Sequence, residues 1–117
     1  LGDVYKRQGG RVPNEFHISV TPARGYLLVE VTLGGDGLMT VDGLPELIKA
    51  VERALGSLGG QEGVVISGRL PVWAFAALAH ALHARPWVAT FDPRLGGGVV
   101  VASHDPARRV GEVVPLD

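Results

Sequence analysis

Cysteine is absent from this chain of 117 residues. That excludes disulfides and thiolate metal sites, and it fits a reducing compartment. Net charge is almost absent too, since 11 Lys and Arg against 12 Asp and Glu leave a formal −1. That balance argues against a broadly basic groove for nucleic acid, and any anion site must be local. No apolar run reaches the roughly 18–20 residues of a membrane span. The nearest approach, residues 70–82, is too short and rich in alanine. No stretch has the pattern of a secretory signal. Together these absences predict a cytoplasmic protein that does not enter a membrane. What is present is a globular composition, 46% hydrophobic and 20% charged, sufficient for one domain around one core.

The first eight residues, LGDVYKRQ, resemble translated adaptor sequence. Residues 1–8 are therefore expected to be a non-native extension, and 9–117 a single domain. Glu15 to Val20 alternates polar and apolar residues, with Phe16, Ile18 and Val20 on one face, which predicts a strand. TPARG is a turn, and Tyr26 to Leu33 a second strand that pairs with the first as a hairpin. His17 lies on the polar phase and is expected in solvent. The glycines of GGDGLMTVDG (34–43) superficially suggest a phosphate loop. The lysine and helix start of such a loop are missing, so turn chemistry is the reading here. Asp42 is the expected N-cap of a helix over Leu44–Leu55, with Pro45 in its first turn. Leu44, Leu47, Ile48, Val51 and Leu55 give that helix one apolar stripe.

Gly63 to Ile66 is a short continuous apolar run, suited to a buried strand of a parallel sheet. After Ser67-Gly68-Arg69, Pro71 opens a helix expected to reach about Ala84, ended by Pro86. Between Leu70 and Leu82 only His80 is polar. A helix apolar all round must be covered all round, which predicts a second subunit. Trp87 to Phe91 is the next strand, Asp92 to Gly98 a turn, and Val99 to Ala102 a strand. Val110 to Leu116 can add a short edge strand with Pro115 near its end. The order β-β-α-β-α-β-β predicts an α/β fold with a mixed sheet and a right-handed crossover. In such sheets ligands sit beyond the carboxyl ends of parallel strands. Ser67-Gly68-Arg69 and Asp92-Pro93-Arg94 both follow such ends, so both loops are expected to face one crevice.

His80 and His83 are three residues apart and share a helix face. With Asp92 and His104 they would make a histidine–carboxylate set suited to Mn²⁺ or Zn²⁺. The plainer alternative is that they cap the helix or sit in an interface. Arg69 and Arg94 can fork onto phosphate, or pair with surface carboxylates. Ser67-Gly68 offers bare backbone N–H groups at a helix start, suited to an anion. Trp73, Phe75 and Trp87 are expected in the core rather than stacked on a base. Arg108 and Arg109 read as a solvated patch.

GVVISGR, then a helix carrying LAHxxH, then FDPRLG and VVxSH, resembles the small CRISPR-associated ring nucleases of the third described family, in order and spacing over Gly63 to His104. The resemblance implies a single Rossmann-like domain acting in type III CRISPR systems, where such proteins degrade the second messenger cyclic tetra-adenylate. It implies that His83 is catalytic together with Asp92 and Arg94. It implies that Ser67, Gly68, Arg69 and Arg94 line the nucleotide site, and that Asp92, His80 and His104 serve a manganese-dependent centre. It further implies homodimers that stack as tetramers around the ligand, with short RNA as a second ligand class. Two departures stand out. LGGG carries an extra glycine before the last strand, and Ala84 stands where the family has a second histidine after the helical one. Cleavage would run by attack of the ribose 2′-OH or of metal-activated water, and the sequence leaves both open. The rival reading is a non-catalytic sensor of cyclic oligoadenylate or RNA. Such a sensor needs arginines and backbone donors but no base.

Overall fold

The computed structural model describes residues 15–116 apart from 57 and 59. The expected extension over 1–8 lies outside the described residues. Strands β1 (Phe16–Pro22) and β2 (Tyr26–Leu33) form the expected antiparallel hairpin, turned by Gly25 at φ 82°. Helix α1 (Leu44–Leu55) follows and buries Leu47, Val51 and Leu55, the centre of its predicted stripe. Its start differs from expectation. A 3-10 turn over Val41–Gly43 leads in, Gly43 is the N-cap, and no side chain caps the helix. Asp42 instead accepts a hydrogen bond from the Thr40 hydroxyl, a local alternative that competes with capping.

Strand β3 (Gly63–Gly68), helix α2 (Val72–Ala81), β4 (Trp87–Asp92), β5 (Gly97–Ser103) and β6 (Val113–Pro115) complete the chain. They form one six-stranded mixed sheet in the order β1-β2-β3-β4-β5-β6. β2, β3 and β4 run parallel, and the outer pairings are antiparallel. The sixth strand is the short edge strand that the sequence allowed. Each parallel strand is added on the same side of the last. Two right-handed crossovers therefore bring both helices to one face. There α1 and α2 cover Val29, Val31, Val64, Ile66 and Val88. The opposite face has its own smaller core of Tyr26, Val65, Trp87, Ala89, Val100 and Val114.

Several boundaries move. Strand β3 runs on through Ser67 and Gly68, which were expected in a turn but pair with Glu30 and Val31 of β2. Helix α2 ends at Ala81 rather than Ala84. The chain then tightens into i→i+3 bonds, from His83 N to His80 O and from Arg85 N to Leu82 O. Pro86 disfavours helical geometry at the residue before it. Gly97 and Gly98 belong to β5, not to the turn. A Cβ at Gly97 would lie 2.5 Å from Val114 O, and one at Gly98 would lie 2.9 Å from Val65 Cγ1. These glycines let strands pass closely. β5 spends seven residues opposite the six of β4, and the register shifts between Val88 and Ala89, leaving Val101 as the bulged residue. The additional residue is absorbed there, so the end of β5 still meets the start of β4.

Candidate functional site

The two ends of the parallel strands carry different chemistry. At the carboxyl ends, β3 and β4 run in register from Val64–Val88 to Ile66–Thr90. This puts Ser67-Gly68-Arg69 and Asp92-Pro93-Arg94 at the same end of the sheet. A cavity of about 480 Å³ opens there, lined by Glu30, Val31, Thr32, Leu33, Asp36, Gly37, Ser67, Gly68 and Arg69. Its walls are the end of β2, the loop that follows β2, and the end of β3 with Arg69 just beyond it. Asp92 and Arg94 lie outside those walls, so the expected shared crevice divides into a cavity at Ser67–Arg69 and a neighbouring turn at Asp92–Arg94.

Gly68 sets the shape of that loop. Its φ is 148°, and a Cβ there would lie 2.4 Å from Val31 O. Only glycine lets β3 turn away this close to β2. The side chains of Ser67 and Arg69 have no hydrogen-bond or ion-pair partner among the described residues, so both are available to a ligand. In the next turn Asp92 Oδ1 accepts the Arg94 N–H at 2.8 Å, and the Arg94 guanidinium lies 3.6 Å away. The backbone N–H of Arg94, followed by its side chain, holds the Asp92 carboxyl below its ordinary pKa. Asp92 is thus a carboxylate that accepts hydrogen bonds or attracts a cation, not a proton donor near neutrality. The Arg94 side chain is 90% exposed, so its fork is free to reach outward.

The amino end of β4 gathers the histidines. His80 sits in the last turn of α2 and His83 in the turn after it, with ring centroids 5.5 Å apart. His104, just past β5, has its ring 6.5 Å from that of His83. Its backbone N–H bonds Pro86 O at 2.8 Å, and its Nε2 meets His83 O at 2.8 Å. The carbonyl can only accept, so Nε2 carries a proton. His104 thereby ties the end of α2 to the end of β5.

The structure brings His80, His83 and His104 together but does not bring Asp92 to them. They lie at opposite ends of β4, whose six residues span roughly 17–20 Å at about 3.3 Å each. Bonds of about 2 Å from one ion cannot bridge that gap. Among the described residues no group of three His, Asp or Glu side chains is arranged to hold a metal. The expected metal set of Asp92, His80 and His104 is therefore not assembled within one chain. The aromatic expectation fares better. Trp87 is buried between Tyr26, 6.3 Å away centroid to centroid, and the Arg108 guanidinium at 5.0 Å, while Trp73 and Phe75 pack on the core. Arg108 is not simply solvated, since it also pairs with Glu112. Sequence reasoning missed Glu30, Thr32, Asp36 and Gly37 as cavity walls. Glu30 and Thr32 are the polar phase of β2, which by itself signals only solvent-facing residues.

These features define a two-layer α/β domain with anion-suited loops at one end of its parallel strands and clustered imidazoles at the other. The model of the CRISPR-associated protein (Cas_csx3) family matches residues 43–115, from the start of α1 through β6, and the chain belongs to that family. It is also similar to an uncharacterized protein of Aquifex aeolicus (strain VF5), 49% identical over 51 residues. That match covers 44% of this chain and 46% of the relative, so it spans less than half of the relative's length. No helix among the described residues is long and apolar enough to cross a membrane.

Proposed function

We propose that this protein is a ring nuclease of the Rossmann-like CRISPR-associated superfamily, acting in the cytoplasm to bind and cleave cyclic tetra-adenylate and so end type III CRISPR signalling. The observation that carries this reading is the placing of two anion-suited loops at one sheet end and three imidazoles at the other, in a chain of a CRISPR-associated family. Arg69, Arg94 and the N–H groups after Ser67 take the phosphates. His83 moves the proton that cleavage requires, imidazole as a class being suited to that work near neutral pH. Because one chain keeps His83 and Asp92 apart, the working site needs two copies, the imidazole end of one meeting the Asp92 end of another across the ring. The described residues of one chain assemble no ligand set for manganese, so its proposed requirement rests on such an assembly, and the proton chemistry is assigned to side chains alone.

A homodimer built on α2 supports that assembly. Val72 is 82% exposed and Ala76 is exposed, on a helix whose Ala74 and Leu78 are buried. Light scattering at micromolar concentration should find a dimer. Val72→Glu should raise its dissociation constant about thirtyfold or more, the loss of about 2 kcal/mol at a central contact. A wild-type monomer would count against the arrangement.

The deciding experiment incubates the protein with labelled cyclic tetra-adenylate, with and without Mn²⁺, and resolves the products. Linear products are expected, and their ends separate 2′-OH attack from water attack. Arg69→Ala should weaken ring binding by roughly tenfold to a hundredfold, the value of a charged hydrogen bond to phosphate. Tight binding without turnover would favour the sensor reading, which is supported by a cavity formed within one chain while the histidines and Asp92 are not joined.

A further inference from the structure

The cavity beside Ser67–Arg69 is not built for phosphate alone. Its charged lining is Glu30, Asp36 and Arg69, two carboxylates against one guanidinium. A site for bare phosphate would repel its ligand with those carboxylates. Asp36 has a local duty, accepting the Leu38 N–H at 3.2 Å. Glu30 has none, as its side chain has no hydrogen-bond or ion-pair partner among the described residues. It stands in register with Ser67 across the β2–β3 ladder. Alternation along both strands puts the two side chains on the same face of the sheet, the one away from the helices. A free carboxylate, a free hydroxyl and a free guanidinium therefore line one cavity, whose volume lies in the ordinary range of small-ligand sites. Glu30 also lies outside the segment 43–115 that matches the family.

The ligand that satisfies all three carries an anion and a hydrogen-bond donor close together. A ribonucleotide does so, with its phosphate for Arg69 and its ribose hydroxyl for a carboxylate. An acidic residue near the end of a parallel strand, beside a phosphate-binding loop, is well placed to take a ribose 2′-OH. We infer that Glu30 accepts a hydrogen bond from the 2′-hydroxyl of the nucleotide whose phosphate the Ser67–Arg69 loop holds, and so makes the site selective for ribose. This rests on the ring-binding reading above, and it assigns Glu30 to recognition rather than to proton transfer. The 2′-OH is the group by which a protein tells RNA from DNA.

The test is a binding cycle in chelator, where turnover does not intervene. Wild type, Glu30→Ala and Glu30→Gln are each titrated with cyclic tetra-adenylate and with its 2′-fluoro counterpart, which keeps similar size but has lost the donor. Circular dichroism checks that each variant is folded. Wild type should bind the ribose ring about tenfold to a hundredfold more tightly than the fluoro ring, as for a hydrogen bond to a charged group. Glu30→Ala should bind the two nearly equally. Glu30→Gln, with a neutral acceptor, should keep a smaller preference. Equal binding of both rings by wild type, or a preference that survives Glu30→Ala, overturns the inference and leaves ring binding standing. Failure of wild type to bind either ring overturns the reading of the site, and this inference with it.

Discussion

His83→Ala should cut the rate of ring cleavage by about 10²–10⁴-fold, the usual effect of removing a general acid or base. Binding of the intact ring should change little, because the groups assigned to phosphate lie at the other end of the sheet. The variant is a clean probe for a structural reason. The contact that fixes this corner runs from His104 Nε2 to the main-chain oxygen of His83, which alanine retains. The imidazole is exposed, so its removal opens no cavity in the core. Single-turnover cleavage across a manganese titration reads the rate, and titration in chelator reads the affinity. Asp92→Asn makes the companion case. An amide oxygen can still accept the Arg94 N–H, so the turn survives while the charge is lost. Excess metal should then restore part of the rate, whereas it should not restore His83→Ala. The acid limb of the pH–rate profile should not belong to Asp92. A carboxyl held below its ordinary pKa stays ionised as pH falls, until that lowered value is reached. Wild-type rates in both variants would remove His83 and Asp92 from the chemistry.

Gly68→Ala should destabilise the fold by about 3 kcal/mol and abolish ring binding in the fraction that still folds. Two costs add, each of roughly 1–3 kcal/mol: a side chain at a strained φ, and a methyl forced into packed structure. The obstacle at 2.4 Å is Val31 O, a backbone atom beside Gly68 in the β2–β3 register. It cannot swing aside as a flexible side chain would. Relief must come from moving the loop off β2, which displaces Ser67 and Arg69 from the cavity wall. Urea unfolding measures the first effect, and ring titration the second. An alanine variant of wild-type stability would mean that the loop has a second conformation of nearly equal energy.

Much of this architecture was legible because local pattern and tertiary role agree. The stripe of α1, the hairpin of β1 and β2, and the crossover from β3 to β4 all follow from periodicity and punctuation. Gly97 and Gly98 were misread because glycine is the same letter in a turn and under a neighbouring strand. Only Val114 and Val65, distant in sequence, distinguish the two. Asp42 has the right chemistry for a cap, but Thr40 takes its carboxylate first. At the site, the loops after β3 and β4 were placed at one end correctly. The distance between His83 and Asp92 is not legible in their residue types, because a whole strand separates them. Glu30 was hidden by the alternation that exposed it, since a charged residue on the outer phase of a strand usually meets only water.

In this sheet spatial order and chain order coincide. Every strand lies beside its predecessor, and only the two parallel pairings reach far along the chain, from Tyr26 to Gly63 and from Val64 to Val88. The loops closed are a three-residue turn, two helical crossovers and short returns, whose closure entropies are small and grow slowly with length. The antiparallel neighbours are local and close early, whereas parallel pairing across a helix is the slow kind. The sheet can grow outward from β2, β3 and β4 by adding one neighbour at a time. A nascent chain presents β1 and β2, Glu30 among them, before the residues that end β3 and β4 have been made.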